Sequence, residues 1–173
     1  MRIKGLKISA ELSLVRLRQT PPSKRLLPAF CHILAANQIN MPFLSTESRA
    51  EGIQVACCVD ASHHALVKQL VDADPLLPGH VSYTPGVGLL TLYPHQSSLK
   101  FLGLSLSALT RADLRVFALG SSIGALTYVL DYARMDKAAT VLQSFFKLDE
   151  NHAPFRAEFV VAQGTQVRSG DPE

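Results

Sequence analysis

The stretch NQINMPFLSTESRAEGIQVACCVD, from Asn37 to Asp60, decides how this chain is read. A helix ends at its start. Ile39 to Ser45 reads as a strand, with Pro42 suited to an edge or a bulge. Thr46 to Gly52 reads as a polar turn, and Ile53 to Val59 as a compact, apolar, central strand. A looser copy, ADLRVFALGSSIGALTYVLD, runs from Ala112 to Asp131. Two copies imply one small α+β unit used twice, which points to a binding module more than to an enzyme.

Upstream of the first copy, Leu6, Ile8, Ala10, Leu12 and Leu14 share one strand parity before the pattern moves to Val15 and Leu17, the mark of a bulge or strand end. Thr20-Pro21-Pro22-Ser23 breaks the strand, and Ser23 suits the N-cap of the next helix. That helix carries Leu27, Phe30, Ile33 or Leu34 and Asn37 at helical spacing. Downstream, Asp60 or Ser62 caps a short helix with Leu66, Val67 and Leu70, and His80 to Tyr83 supplies a fourth strand.

The order then repeats. Val87 to Tyr93 is a strand, Pro94-His95-Gln96-Ser97-Ser98 its exit loop, and Ser97 or Ser98 the cap of a helix bearing Leu99, Leu102, Leu106 and Leu109. Strands follow at Leu114 to Leu119 and Ala125 to Leu130. A helix then carries Met135, Ala138 or Ala139, Leu142 and Phe145 or Phe146, and Phe155 to Val161 closes the unit. The expected fold is α+β, with two ferredoxin-like βαββαβ repeats, antiparallel sheets and helices on one face of each. The expected units are residues 1–80 and 81–164, followed by a flexible tail at 165–173. The apolar strands favour cover on both faces, from a continuous eight-stranded sheet or a face-to-face pair.

Hydrophobic residues make up 47% of the 173 and charged residues 18%, which allows a substantial core and suggests an apolar face buried between units or subunits. Arg2, Lys4, Lys7, Arg16, Arg18, Lys24 and Arg25 face only Glu11. They stand at strand spacing with no interleaved aromatics, as on a solvated strand face, so no nucleic-acid partner is expected. Cys31, Cys57 and Cys58 are odd in number, and strand neighbours point apart, so reduced thiols and a cytoplasmic location are expected. No apolar run has membrane length, and no signal-peptide pattern opens the chain. His63-His64 is a poor metal pair because adjacent helical residues do not share a face, and no cofactor is implied.

Together, the ordered motifs resemble a pair of ACT domains, most closely the tandem regulatory ACT domains of aspartate kinases. Ala36-Asn37-Gln38-Ile39-Asn40 is similar to the family's Ala-x-x-Gly-Ile-Asn helix end, with Gln38 where glycine is usual. Phe43-Leu44-Ser45-Thr46, then Val59-Asp60 with Lys68, continue the likeness. Leu119-Gly120-Ser121-Ser122-Ile123 and Leu130-Asp131 with Lys137 do so in the second half. The resemblance spans residues 5–162. It implies a non-catalytic regulatory module that binds an amino acid or similar small ligand and acts on a metabolic enzyme or regulator; a homodimer is expected because pairing would cover sheet edges or the free sheet face. No kinase domain is present in these residues. The glycine-rich exit from the family's first strand is replaced by Pro21-Pro22-Ser23 and Pro94-His95-Gln96-Ser97.

An amino-acid carboxylate is met by backbone N–H groups at a helix start. Ser23, His95, Gln96, Ser97 and Ser98 in the two exit loops are therefore candidate ligand contacts, although serine N-caps need no ligand. Asn40 stands near the first loop, and Asp113 is read as its counterpart in the second repeat. Ser45, with Thr46, Ser121 and Ser122, is a candidate to line an interface, although turn chemistry explains all four. A structural interaction module without a ligand is the alternative, and a small enzyme with His95 as base is a third reading. No Ser/Asp constellation accompanies His95 in the sequence.

Overall fold

The computed structural model describes residues 2–19, 25–50, 52–93 and 98–148. The first unit is built from β3 (Leu12–Gln19), α1 (Leu26–Ala36), β4 (Phe43–Arg49), β5 (Gly52–Asp60), α2 (His64–Ala73) and the first part of β6 (Val81–Tyr93). The second takes the rest of β6, then α3 (Leu99–Arg111), β7 (Val116–Ser121), β8 (Leu126–Asp131) and α4 (Met135–Phe145). Two short strands, β1 (Arg2–Ile3) and β9 (Lys147–Leu148), pair in parallel, and β2 (Gly5–Ile8) completes the set. The proposed closing strand at Phe155 to Val161 and the tail lie outside the described residues.

One seven-stranded sheet holds the fold, in the order β4-β5-β3-β6-β8-β7, with β2 also paired to β6. The first half has the order of a βαββαβ unit, while the described residues of the second run β6-α3-β7-β8-α4. In the second half, the place beside β6 is taken by β2, with Gly5 opposite Tyr93 and Ile8 opposite Leu90. The sequence reading merged β2 and β3 into one strand; residues 9–11 separate them and send the two segments to different halves.

β6 is the reverse case, a single strand where two were expected. Its residues 81–84 pair with β3, while 87–92 pair with β8. Between them, Pro85 and Gly86 stand opposite a register shift, and Gly86 has φ +70°. Proline cannot donate to the ladder and a left-handed residue bends the strand. The sheet therefore turns a corner there and folds back on itself.

Three cores follow from the parity of the strands. Val15, Leu17, Val55, Cys57 and Val59 meet Phe30 and Leu34 of α1 and Val67 and Val71 of α2. Leu6, Ile8, Leu90, Leu92, Leu126, Tyr128 and Leu130 meet Phe101 and Leu109 of α3 and Met135 and Leu142 of α4. The opposite strand faces meet each other through Leu12, Leu14, Phe43, Cys58, Val87, Leu89 and Val129. Gly120 of β7 sits beneath the Phe43 ring, where a Cβ would lie 2.9 Å from a ring carbon. The two halves are thus both continuous through β6 and packed face to face.

Several local expectations need correction. β4 runs to Arg49, so Thr46 to Arg49 form strand and not turn. Its polar residues reflect an edge position rather than a loop. In α3 the buried residues are Phe101, Ser105, Ala108 and Leu109; of the expected leucine row Leu109 is buried, Leu102 and Leu106 pack partly buried against the same core, and Leu99 is 81% exposed. Ser105 tolerates burial because its hydroxyl donates to the carbonyls of Phe101 and Leu102 and also meets the Tyr128 hydroxyl. Arg25, not Ser23, occupies the N-cap position of α1, and it makes no side-chain cap. Asp60 caps as expected, its carboxylate accepting from the Ser62 amide at 2.8 Å, and Asp131 repeats this with Ala133 at 3.0 Å.

Candidate functional site

Parity on β3 makes the site. Val15 and Leu17 turn toward the helices, so Leu14, Arg16 and Arg18 turn toward the space between the half-sheets. Register then assembles rows across four strands. Phe43, Cys58, Leu14 and Thr84 form an apolar row closed at one end by a threonine. The next row is Ser45, Ala56, Arg16 and Ser82, and beyond it come Glu47, Gln54 and Arg18. The apolar row is packed against the second half. The polar rows line a cavity of about 510 Å³, roofed by Phe117, Ala118 and Leu119 of β7 and flanked by Gly79 and His80.

Arg16 ties the two half-sheets together. It is half-buried; its Nη2 donates to the Phe117 carbonyl at 3.1 Å and its Nη1 to Thr84 Oγ1 at 3.4 Å. A guanidinium has five N–H groups, so three remain without an acceptor among the described residues. No carboxylate pairs with it among those residues. Arg18 is exposed, and its backbone is locked to His80 by an amide–carbonyl bond of 2.9 Å. By spacing, these arginines read as a solvated strand face. That holds for Arg18, while Arg16 is drawn under β7.

Among the described residues, Ser45 is the one sequence-derived candidate that lines this cavity. Asn40 is exposed between α1 and β4. Ser98 is the N-cap of α3, its hydroxyl accepting from the Phe101 amide at 3.2 Å. Asp113 is exposed at the end of α3; its carbonyl accepts from Arg134 Nη1 at 2.7 Å. Ser23, His95, Gln96 and Ser97 lie outside the described residues. Nor is Asp113 the counterpart of Asn40. Gln38 (φ +55°) and Asp113 (φ +56°) end α1 and α3 in the same way. The following amides, of Ile39 and Leu114, each return 2.9 Å to the carbonyls of Leu34 and Leu109. Arg115 therefore matches Asn40, and its guanidinium lies 4.9 Å from the centre of the Phe117 ring.

The other reactive groups are out of reach. Burial pushes the Cys57 and Cys58 thiols up to about 12, with the Cys58 and Cys31 charges adding to the effect at Cys57 and Arg16 opposing it at Cys58. Such thiols are poor nucleophiles at neutral pH. Ser13 Oγ lies 2.8 Å from His64 Nδ1, but Ser13 is fully buried on the helix side of the sheet. Among the described residues, no group of three or more His, Cys, Asp or Glu stands close enough to hold a metal. No helix of those residues is long and apolar enough to cross a membrane.

Two four-stranded α+β units sharing β6, the second completed by β2, with helices outside and sheet faces inside, have the tandem ACT fold. Solved structures bear this out. The ligand-free regulatory subunit of aspartate kinase from Thermus thermophilus matches with a TM-score of 0.71 and 11% identity, over 82% of this chain and 97% of that one. The aspartate kinase of Synechocystis matches with a TM-score of 0.73 and 13% identity, over 88% of this chain and 28% of that one. The T-state aspartokinase III of E. coli, in complex with lysine and aspartate, matches with a TM-score of 0.62 and 19% identity, over 83% and 33%. No family model matches the sequence, and no curated protein does.

Proposed function

We propose that this chain is a non-catalytic regulatory module that senses a small ligand of the amino-acid class. The observation that carries the proposal is the cavity between the half-sheets. Its floor belongs to the first unit and its roof to β7 of the second, so an occupant touches both. Binding there favours one spacing of the halves over another, which is the differential interaction that a population shift requires. The structural likeness to regulatory parts of aspartate kinases supports the same reading. A metabolic enzyme is the proposed recipient of the signal, and a homodimer the proposed form.

The test is thermal unfolding of the full chain against each standard amino acid. Ligand at about 100 times its Kd adds about 2.7 kcal/mol. For a chain of this size that raises Tm by roughly 5–10 °C. Absence of any shift across the set would remove the sensing role and favour a structural interaction module.

A further inference from the structure

We infer that the inter-sheet cavity is an anion site whose occupant is a small carboxylate, most suitably a dicarboxylate such as an acidic amino acid, received by the guanidinium of Arg16. This rests on the ligand-sensing reading and gives that ligand its charge.

The argument starts from Arg16. Three of its five N–H groups meet no acceptor among the described residues, and none of its nitrogens is buried without a partner, so these groups open onto the cavity and can receive a ligand in place of water. Its two protein bonds, to the Phe117 carbonyl and the Thr84 hydroxyl, fix the plane of the fork and involve no counter-charge. A fixed planar fork suits a carboxylate, which accepts two parallel N–H bonds. Arg18 stands one row further along the same strand face, as a second cation. Glu47 is the only carboxylate on the lining among the described residues. The site therefore favours a ligand of net negative charge over a neutral or basic one. Ser45, Gln54 and Ser82 add neutral hydrogen-bonding groups at the same level.

Size and the roof select the carbon frame. About 510 Å³ is far more than a bare phosphate fills and falls within the span of small-molecule pockets. Phe117 and Ala118 beside Arg16 present apolar surface to the ligand's carbons.

Isothermal titration of the full chain with glutamate, aspartate, glutamine, asparagine and inorganic phosphate tests the proposal. An acidic amino acid is expected to bind at least about tenfold more tightly than its amide and more tightly than phosphate. Arg16→Gln should lose about tenfold or more, the usual weight of a charge-assisted bond. Arg16→Lys should recover part of that, because it restores the charge without the fork. Arg18→Gln, at an exposed position, should lose up to about fivefold. Amide NMR shifts at Ala56 and Ala118 should move when the acid is added.

Phosphate binding as tightly as the acids would overturn the carboxylate assignment. Stabilisation by an amino acid that both Arg16→Gln and Arg18→Gln leave unchanged would overturn this site and leave the sensing role standing. Absence of binding by every amino acid would overturn both. Should Arg16→Gln fail to fold, Arg18→Gln and the Ala56 and Ala118 shifts decide alone, and unmoved shifts reject the site.

Discussion

The space between the half-sheets has a dry end and a wet end, built by the same four strands two residues apart. At the dry end, Phe43, Cys58 and Leu14 meet Leu89 and Val129 of the second half. At the wet end, Ser45, Ala56, Arg16 and Ser82 follow on the same strand faces. The change occurs within β3, between Leu14 and Arg16. It shows how a face-to-face pair separates two tasks: apolar burial clamps the halves at one end and leaves a chemically specific gap at the other. A uniformly apolar interface would have no room for a ligand. A uniformly polar one would have little holding it shut.

Removing the clamp is the strongest way to break this contrast. Leu14→Ala deletes a fully buried side chain from the dry end and should cost about 2–5 kcal/mol in denaturant unfolding. A loss under about 1 kcal/mol would mean that the halves are held by β6 and not by packing. Gly86→Ala tests the corner that brings the faces together. Alanine fits the space but must adopt φ +70°, so a loss of about 1–2 kcal/mol is expected.

Arg16→Met extends the dry end into the wet one. Methionine keeps much of the apolar stem and gives up two hydrogen bonds, a modest loss that is partly offset because no half-buried charge remains. Its unfolding free energy should stay within about 1 kcal/mol of wild type or exceed it, while carboxylate binding is lost. A large loss of stability would recast Arg16 as part of the clamp.

Smaller effects come from the helix starts, which lie outside the contrast and serve as its controls. Asp60→Ala and Asp131→Ala should each cost about 1 kcal/mol. Bonds from the Ser62 hydroxyl and then its amide hold the Asp60 carboxyl below its usual 3.8. Its contribution is therefore complete above that value and fades as the pH falls through the depressed folded value. The gap between wild type and Asp60→Ala should close in acid. Least disruptive is alkylation of the native chain at neutral pH. Cys31, only partly buried, should be modified before Cys57 and Cys58, and early labelling of Cys58 would show that the dry end opens readily.

The doubled unit was legible because each repeat carries the same local chemistry. A helix ends on a left-handed residue before a buried apolar one, at Gln38-Ile39 and again at Asp113-Leu114, and an aspartate caps each short helix. Such features depend on neighbours in sequence. The site was not legible in this way. Arg16, Gln54, Ser82 and Phe117 come from four strands and meet only once register and the corner at Gly86 are set. In sequence Arg16 is one of several alternating basic residues, and nothing local marks it as the one drawn under β7. Ser45 reads from sequence as an interface or a turn residue, and it lies in β4 facing the cavity. Asn40 and Asp113 were paired by counting from the wrong residue of the helix end. The row of leucines in α3 marks the core side only loosely: Leu99 faces out, while Ser105, a hydroxyl with nearby carbonyls, is buried where hydropathy would place an apolar residue.

The passage of β6 through both halves, with β2 inserted beside its far end, bears on how the molecule is assembled and can be divided. A break at residue 80 would leave the later fragment without Gly5 to Ile8 and the earlier one without the strand that flanks β3. Neither piece would carry a finished sheet. The halves should therefore melt in one transition despite their internal symmetry, and amide exchange should protect both to similar depth. Reconstitution from two polypeptides would succeed only if the cut fell in a connection outside the shared sheet.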